Sequence, residues 1–378
     1  MTPAEPAATP APPAPAVPVA GPVTTPCPKC GAKSQYDPGS RQLKCPFCGA
    51  TAEIVATGEV AELDFEAALR EFGGQAETRT AVAVPCRACG AQVEFTAGQT
   101  AGRCPFCATP LMVSAAAQQT LIKPKSVLPF AVDQTTANGN FRRWLDRLWF
   151  APGRMKREAR SDSAFTGIYL PHWTYDALAD ADYTGMRGDY YYTTETYTTQ
   201  ENGRSVTKTR QVRHTRWTPA AGHVQRRFDD VLVPASHSLP DKLAGTLPPW
   251  DLAALVPFDE RYLAGFSAES YSVGLPEGFA AAKQEMEGGL RQAVAADIGG
   301  DEQQIATLTS RYAEVTYKHL LLPVWLSSYR FGGRVFRFLI NGRSGVVHGE
   351  RPYSWVKISL AVLAVVAVIV LVAVIAGD

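Results

Sequence analysis

The chain has 378 residues and a formal net charge of +1 at pH 7, with 19% charged and 46% hydrophobic residues. This length leaves room for two or three domains, and the near-zero charge excludes a molecule that binds polyanions through its overall charge. All eight cysteines fall in the stretch from position 27 to position 107. That clustering excludes a disulfide framework for the whole chain and indicates a local role for the thiols.

The N-terminal segment at 1–26 is rich in proline and alanine and carries almost no charge. It lacks the basic start and the continuous apolar run of a signal peptide. The composition therefore predicts a disordered tail over 1–26.

Two four-cysteine modules follow, at 27–50 and 86–110. In each, two Cys-x-x-Cys pairs are separated by an interval of the same length, and the second module repeats the first at a constant offset, which indicates an internal duplication. Two residues between cysteines let both sulfur atoms reach one ion from a tight turn. The pattern predicts two zinc ribbons, with two Zn²⁺ per chain and eight metal ligands: Cys27, Cys30, Cys45, Cys48, Cys86, Cys89, Cys104 and Cys107.

Other uses of the thiols are open at this point. Four thiolates also suit iron in a rubredoxin-like site, although the short interval between the pairs favours a ribbon, and disulfides are disfavoured in a cytoplasmic segment. Because all four ligands are thiolates and no position is left for water, the sites are expected to be structural rather than catalytic. Ala108 stands where the first module has Gly49, which predicts a slightly altered turn.

The connector at 51–85 is expected to contain a short amphipathic helix, since Leu63, Phe65, Leu69 and Phe72 recur at roughly helical spacing. It separates the two modules.

The largest region, at 120–355, mixes helical and strand-like patterns. Helices are predicted over 133–150 and 279–296, and two strands joined near Gly332 over 315–338. Residues 190–199 and 206–217 are rich in Tyr, Thr and Val and flank an Asn-Gly pair, which is a hairpin signal. The expected domain is α+β and mainly antiparallel β.

Basic residues are concentrated in two stretches of this region, at 142–160 and 204–227. The second follows the Tyr-rich run and has three interpretations: a solvated strand face, a surface for an anionic membrane leaflet, or a nucleic-acid site. The candidate residues for binding an anionic surface are Arg204, Lys208, Arg210, Arg213 and Arg216.

Residues 358–376 are Ile, Leu, Val and Ala, with Ser359 the only polar residue. Nineteen residues at ~1.5 Å each give ~28 Å, close to the ~30 Å hydrocarbon core. The run predicts one C-terminal transmembrane helix. Arg351 and Lys357 on its N-terminal side favour a single-pass, tail-anchored protein of the inner membrane, with the N-terminal bulk in the cytoplasm.

Motifs for enzymatic chemistry are absent from the sequence. There is no phosphate-binding Gly-x-x-x-x-Gly-Lys-Ser/Thr loop, no Gly-x-Ser-x-Gly elbow and no His-Glu-x-x-His helix. His172 and His319 could be ligands or bases, but structural roles are favoured, and Asp229-Asp230 is more readily a turn cap than a cation site. The chain is thus expected not to be an enzyme.

Several runs resemble a bacterial family of membrane-anchored zinc-ribbon proteins, often labelled as related to primosomal protein N′ (a replication-restart helicase) or as TFIIB-type zinc-ribbon proteins. The two cysteine modules carry the resemblance, together with runs at 170–177, 216–219, 228–236, 262–266, 318–325 and 349–354. The helicase label does not transfer, since the motor residues are absent. Relatives that resemble companions of flotillin-like scaffolds and phage-shock proteins imply an adaptor role.

The sequence therefore favours a non-enzymatic, membrane-anchored adaptor or scaffold that binds protein partners at the cytoplasmic face. The alternative is a membrane-tethered nucleic-acid-binding protein without a helicase motor, supported by the ribbons and the Arg/Tyr-rich hairpin.

Overall fold

The computed structural model describes residues 25–55, 57–71, 78–94, 101–107, 109–112, 117–162, 165–201, 204–332 and 334–377. Nearly all of the predicted N-terminal tail, Ala108 and the Asn-Gly turn of the predicted hairpin lie outside these residues.

Short antiparallel strands build the two cysteine modules. In the first, a three-stranded sheet has the order β1 (Gln35–Asp37), β2 (Gln42–Lys44), β3 (Thr51–Ala52). The connector contributes β4 (Leu63–Asp64) and the predicted short helix, α1 (Phe65–Glu71). The second module contains β5 (Thr78–Pro85), β6 (Gln92–Glu94), β7 (Ala101–Arg103), β8 (Pro110–Met112) and β9 (Ala117–Ile122), paired as β6-β5-β9 and β7-β8.

One nine-stranded sheet dominates the described part of the chain. Its further strands are β10 (Ser126–Val127), β11 (Thr166–Glu201), β12 (Arg204–Pro234), β13 (Val256–Pro257), β14 (Ser267–Ala268), β15 (Glu302–Phe331), β16 (Arg334–Asn341) and β17 (Val347–Gly349). The helices are α2 (Gln134–Asp146), α3 (Gly153–Asp162), α4 (Asp241–Ala244), α5 (Leu275–Ile298) and α6 (Trp355–Gly377), with 3₁₀ turns at Leu252–Ala254 and Glu260–Leu263.

The sheet is mostly antiparallel, as predicted. Its main path is β12-β11-β15-β10-β13, with β4, β14, β16 and β17 attached to it. Only the β10–β15 and β11–β14 pairs in this sheet are parallel. The predicted strands are found, but β11, β12 and β15 are far longer than the patterns indicated, at 36, 31 and 30 residues.

Helix α5 covers one face of the long strands. Its buried residues recur at helical spacing and pack on inward-facing residues of β11. Small side chains at Ala177, Ala179 and Ala181 let the helix lie close to the sheet. Two buried aromatic residues of β11 form hydrogen bonds near the start of α5. The indole N–H of Trp173 donates to the Val273 carbonyl at 3.0 Å, and the hydroxyl of Tyr175 donates to the Leu275 carbonyl at 2.7 Å. These bonds satisfy the polar atoms of buried rings at the helix start.

Beyond Gly188 the sheet narrows to two strands. Strand β15 begins at Glu302, opposite Gly188, so residues 189–201 of β11 pair only with β12 among the described residues. At ~3.4 Å per residue this two-stranded arm projects ~40 Å. We call it the hairpin arm; its described residues are 189–201 and 204–216.

The C-terminal apolar run forms α6, but the predicted transmembrane helix at 358–376 is wrong. Within the described ranges, no helix is both long and apolar enough to cross a membrane. The predictions of a tail anchor and of single-pass localisation in the inner membrane are corrected with it.

Two glycines of α5 test how closely the helix lies on the sheet. A Cβ at Gly278 would come within 2.5 Å of the Tyr175 hydroxyl, whereas one at Gly288 meets nothing within 4 Å. Alanine favours a helix by ~1 kcal/mol over glycine, so Gly288→Ala should stabilise the protein by about that amount. Gly278→Ala should instead destabilise it by ~1–3 kcal/mol through overpacking. Urea unfolding of the metal-loaded protein measures both, and equal effects would contradict the close packing.

Candidate metal centres

The eight cysteines form two groups of four. In the first, the Sγ atoms of Cys27 and Cys48, and those of Cys30 and Cys45, are 3.5 Å apart. In the second, the corresponding separations are 3.5 Å (Cys86–Cys107) and 3.6 Å (Cys89–Cys104). A disulfide requires ~2.05 Å, while four sulfurs around a metal at ~2.3 Å lie ~3.8 Å apart. Each group is thus positioned to hold one metal ion.

The turns around the cysteines have the geometry that such a site requires. Gly31, Gly49 and Gly90 adopt φ of 72°, 71° and 79°, and each donates its amide to the carbonyl of the first cysteine of its pair. This left-handed conformation is readily reached by glycine alone. Backbone amides of Cys48 and Phe47 donate to the Cys45 sulfur and lower its pKa to about 6. Turned-in amides therefore stabilise the thiolate form that binds metal.

The first ribbon, residues 27–52, attaches to the body through residues of its small sheet, Tyr36 and Leu43. Tyr36 donates its hydroxyl to the Phe130 carbonyl at 3.0 Å and its amide to the Ala264 carbonyl at 2.8 Å. Its ring packs edge-on against Tyr262 with the centroids 5.4 Å apart. Cys30 and Cys48 remain exposed. The ribbon is thus fixed at its base and presents its metal site outward.

The second ribbon, residues 84–94 and 101–112 where described, is part of the core. Cys86, Cys104 and Cys107 are buried in one cluster with leucines of the central sheet and α4. Arg337 of β16 donates its Nε to the Phe106 carbonyl at 3.0 Å. The amide of Ser270 bonds the Gln92 carbonyl at 3.1 Å. This module therefore has a structural role in the body.

The same Cys-Pro-Phe-Cys turn has opposite surroundings in the two repeats. Phe106 is 0% exposed, and Phe47, its equivalent in the first repeat, is 81% exposed. Neither phenylalanine was predicted as a functional residue from the sequence. The duplication was the available signal, because it shows that the two turns should be compared. The identical turns still cannot be told apart until the body that covers one of them is known.

A buried carboxyl lies where the second ribbon meets the body. Glu269 is 1% exposed, and its Oε2 accepts from Ser236 and Ser238, both at 2.9 Å. Its Oε1 is buried and has no hydrogen-bond partner among the described atoms. Burial raises the pKa of Glu269 to about 8. A lone glutamate carries no sequence signal that would have identified it.

The candidate histidines occupy structural positions. Burial lowers the pKa of His172 to about 4, and its Nδ1 lies 3.2 Å from the Leu170 carbonyl. His319 Nδ1 lies 3.0 Å from the Ile122 carbonyl, and the ring packs on Trp173 at 4.5 Å. These contacts support the structural interpretation that the sequence favoured.

The Asp229-Asp230 pair belongs to a cluster of carboxylates that surrounds the positively charged side chain of Lys318. Carboxylate oxygens of Glu62, Asp176 and Asp229 lie within 4.8 Å of one another. Lys318 places its Nζ 2.7 Å from Asp230 Oδ1 and 3.2 Å from Glu62 Oε1. Its side chain is only 8% exposed. Although burial opposes the charged form, these carboxylates raise the pKa of Lys318. Through Glu62, immediately before β4, the cluster links the connector to β12 and β15.

The five basic candidates all lie on the hairpin arm, but they do not form a uniform cationic surface. Arg210 bonds Glu195 at 3.0 Å, and the register places Arg216 opposite Asp189 and Arg204 opposite Glu201. Strand alternation puts Arg213 on the other face, where it stacks on Tyr190 at 4.2 Å. Acidic residues of β11 thus face most of the basic residues.

Comparison with known proteins gives a distant relative. The chain is 26% identical over 239 residues to the uncharacterized protein YdjG of Bacillus subtilis (strain 168), a match that covers 63% of this chain and 66% of the relative. The chain thus spans slightly less than two thirds of the relative's length. No family model matches the chain, and no solved structure does.

Equivalent cysteines should have unequal effects on stability. Cys45→Ser and Cys104→Ser each remove one ligand, so each should lower the metal content from two ions to one per chain. Cys45→Ser should leave the body's unfolding transition in place, whereas Cys104→Ser should destabilise the whole protein by several kcal/mol, since it opens a buried site. Metal analysis combined with circular-dichroism melts measures both. Two ions retained in either variant would contradict the assignment of ligands.

The buried Glu269 predicts a pH-dependent stability. Its folded-state pKa of about 8 lies above the ordinary 4.5, so between these values the folded protein keeps a proton that the unfolded chain has released. Stability should therefore fall as pH rises towards 8 and level off above it. Glu269→Gln should flatten this dependence between pH 6 and 8.5 in urea titrations. Glu285→Gln, at an exposed position of α5, is the control, and an unchanged slope in Glu269→Gln would refute the prediction.

Proposed function

We propose that the protein is a non-enzymatic adaptor that binds a protein partner through the exposed turn of its first zinc ribbon. The observation that carries the proposal is the unequal burial of the duplicated turn. In the second repeat the phenylalanine is fully buried against the body, and in the first it is 81% exposed next to two exposed cysteines. The resemblance noted above makes flotillin-like scaffolds and phage-shock proteins the first candidate partners.

Zinc is the metal that we propose for both sites. Four thiolates at near-tetrahedral separations suit zinc or iron, and the compact hairpin between the cysteine pairs favours a ribbon. A site closed by four protein ligands leaves no position for water, so the metal would stabilise the fold without taking part in catalysis. Purified protein should then lack the visible absorption of an iron–thiolate centre.

An exposed phenylalanine on a rigid mount is suited to partner binding. Aromatic anchors supply much of the binding energy at interfaces because they bury a large apolar area. The base of the first ribbon is fixed by the two hydrogen bonds of Tyr36, so little ordering entropy would be lost when Phe47 is covered. The packing of the ribbon does not depend on Phe47, since Tyr36, Leu43 and Ile54 join the core of the body and Phe47 is not part of that cluster.

Nucleic-acid binding is the second candidate, and the hairpin arm favours it. Tyr192 is 61% exposed, and Tyr191 and Tyr197 are each 41% exposed, next to arginines that could contact phosphates. The acidic residues opposite those arginines weaken this candidate, because they neutralise much of the charge that a polyanion would need.

Photo-crosslinking from the first ribbon tests the adaptor proposal. A benzophenone amino acid at position 47 should give a protein adduct in cells that survives nuclease treatment. The same group at Met112, which is 63% exposed on the second ribbon, is the matched control and should give none. Phe47→Ala should lose the partner at least tenfold, as expected for an aromatic anchor, while keeping two metal ions per chain.

Two outcomes would contradict this proposal. Adducts that vanish on nuclease treatment would favour the nucleic-acid candidate. Equal adducts from positions 47 and 112 would show that the first ribbon has no special role. Phe106→Ala serves as a stability reference, because it should unfold the second ribbon's attachment through loss of a buried ring.

A further inference from the structure

Strand β12 is an edge strand with one side free. In the described residues it pairs with β11 alone. The other side presents unpaired N–H and C=O groups, which form a template for a further strand. Along the hairpin arm, at 204–216, neither α5 nor another strand lies beyond this edge in the described chain.

The register shows which residues of β12 turn their backbone groups outward. Gly188 and Tyr190 of β11 bond Asp301 on the side away from β12: the Gly188 carbonyl accepts at 2.8 Å and the Tyr190 amide donates at 2.7 Å. Their partners on β12 therefore belong to non-hydrogen-bonded pairs. Thr215, opposite Tyr190, points its amide and carbonyl to the free edge, and every second residue does the same, including Arg213 and Gln211. Pro219 also belongs to this outward-facing set. Its position agrees with the register, since proline fits an edge strand where its nitrogen faces outward.

The two strands of the arm have opposite charges. Within the arm, β11 has three acidic residues and no Lys or Arg, and β12 has five Lys and Arg residues and no acidic one. Arg204, Arg210 and Arg216 thus have acidic cross-strand neighbours on the β11 side. On the free side, the positions where a third strand would place its side chains lack a countercharge from the described chain.

We propose that the free edge of β12, over 204–216, binds an extended acidic segment of a partner protein as an added antiparallel strand. Main-chain hydrogen bonds would come from the β12 residues whose amides and carbonyls face the free edge, such as Gln211, Arg213 and Thr215. Acidic side chains of the partner segment would pair with Arg204, Arg210 and Arg216. This goes beyond the proposed function, because it concerns a different surface and stands whether or not Phe47 binds a partner.

Other occupants fit this edge poorly. A second copy paired antiparallel through the same edge, centred on Arg210, would place Arg210 opposite Arg210 and Arg204 opposite Arg216, and like charges directly opposite are destabilising. The chain's own N-terminal segment, at 1–24, contains a single acidic residue and many prolines, and proline cannot donate to a ladder.

A peptide with the sequence of residues 189–201 is the probe, because it is the acidic strand that β12 already accepts on its other side. The labelled, end-capped peptide should bind the full chain, as measured by fluorescence anisotropy, and binding should weaken with added salt. A version with its Asp and Glu replaced by Asn and Gln should bind about tenfold more weakly, since three cross-strand charge pairs are lost.

Gln211→Pro separates strand addition from simple charge attraction. It removes one outward amide and leaves every charge in place, so it should weaken binding about tenfold relative to Gln211→Ala. As a second test on unaltered protein, peptides N-methylated at alternate residues should divide into one series that binds and one that does not. Absence of peptide binding, equal binding by Gln211→Pro and Gln211→Ala together with equal binding by the two methylated series, or binding of a single-stranded oligonucleotide in place of the peptide would overturn the proposal.

Discussion

The close contact between α5 and the long strands is the constraint on which the rest of the structure depends. A sheet with strands as long as β11, β12 and β15 must bury one face or expose a large apolar area. Helix α5 covers that face from Trp173 to about Tyr183, with alanines and glycines keeping the backbones close. Where β15 begins, the cover and the third strand end together. Among the described residues the arm beyond Gly188 has no such cover, and most of its side chains are Thr, Tyr, Arg, Lys, Asp or Glu, whose polar groups can remain in contact with water.

The duplication of the cysteine module has given two copies with different roles. The second copy buries three of its four cysteines, and its Phe106 contributes to the same cluster as the central strands. The first copy packs on the body through Tyr36, Leu43 and Ile54 and keeps two cysteines and Phe47 exposed. The two copies can be compared directly within one chain, because the second copy shows how the Cys-Pro-Phe-Cys turn packs when a surface covers it.

The cysteine groups and the mainly antiparallel character of the sheet could be predicted from sequence, since both depend on local spacing, whereas the transmembrane helix in the predicted fold class was wrong. Metal-ligand spacing fixes Cys27 to Cys107 as two sets of four, and the hairpin and α5 follow from period and turn chemistry. Strand length could not be predicted, because register along such long strands is set by the partner strands. The burial of Phe106 and Glu269 depends on tertiary contacts with distant segments. The transmembrane prediction depended on the apolar composition and the length of 358–376, and among the described residues no helix is both long and apolar enough to cross a membrane.

Charge on the hairpin arm is best understood as cross-strand complementarity. Considered alone, the basic residues of β12 suggest a polyanion site. Their neighbours in the register change that interpretation, because Glu195 bonds Arg210 and Asp189 faces Arg216. A polyanion would have to compete with these fixed carboxylates, whereas an added acidic strand would meet the same basic side chains from the opposite side. The arrangement therefore favours a partner that forms main-chain hydrogen bonds and brings a few well-spaced acidic groups over one that carries a continuous negative charge.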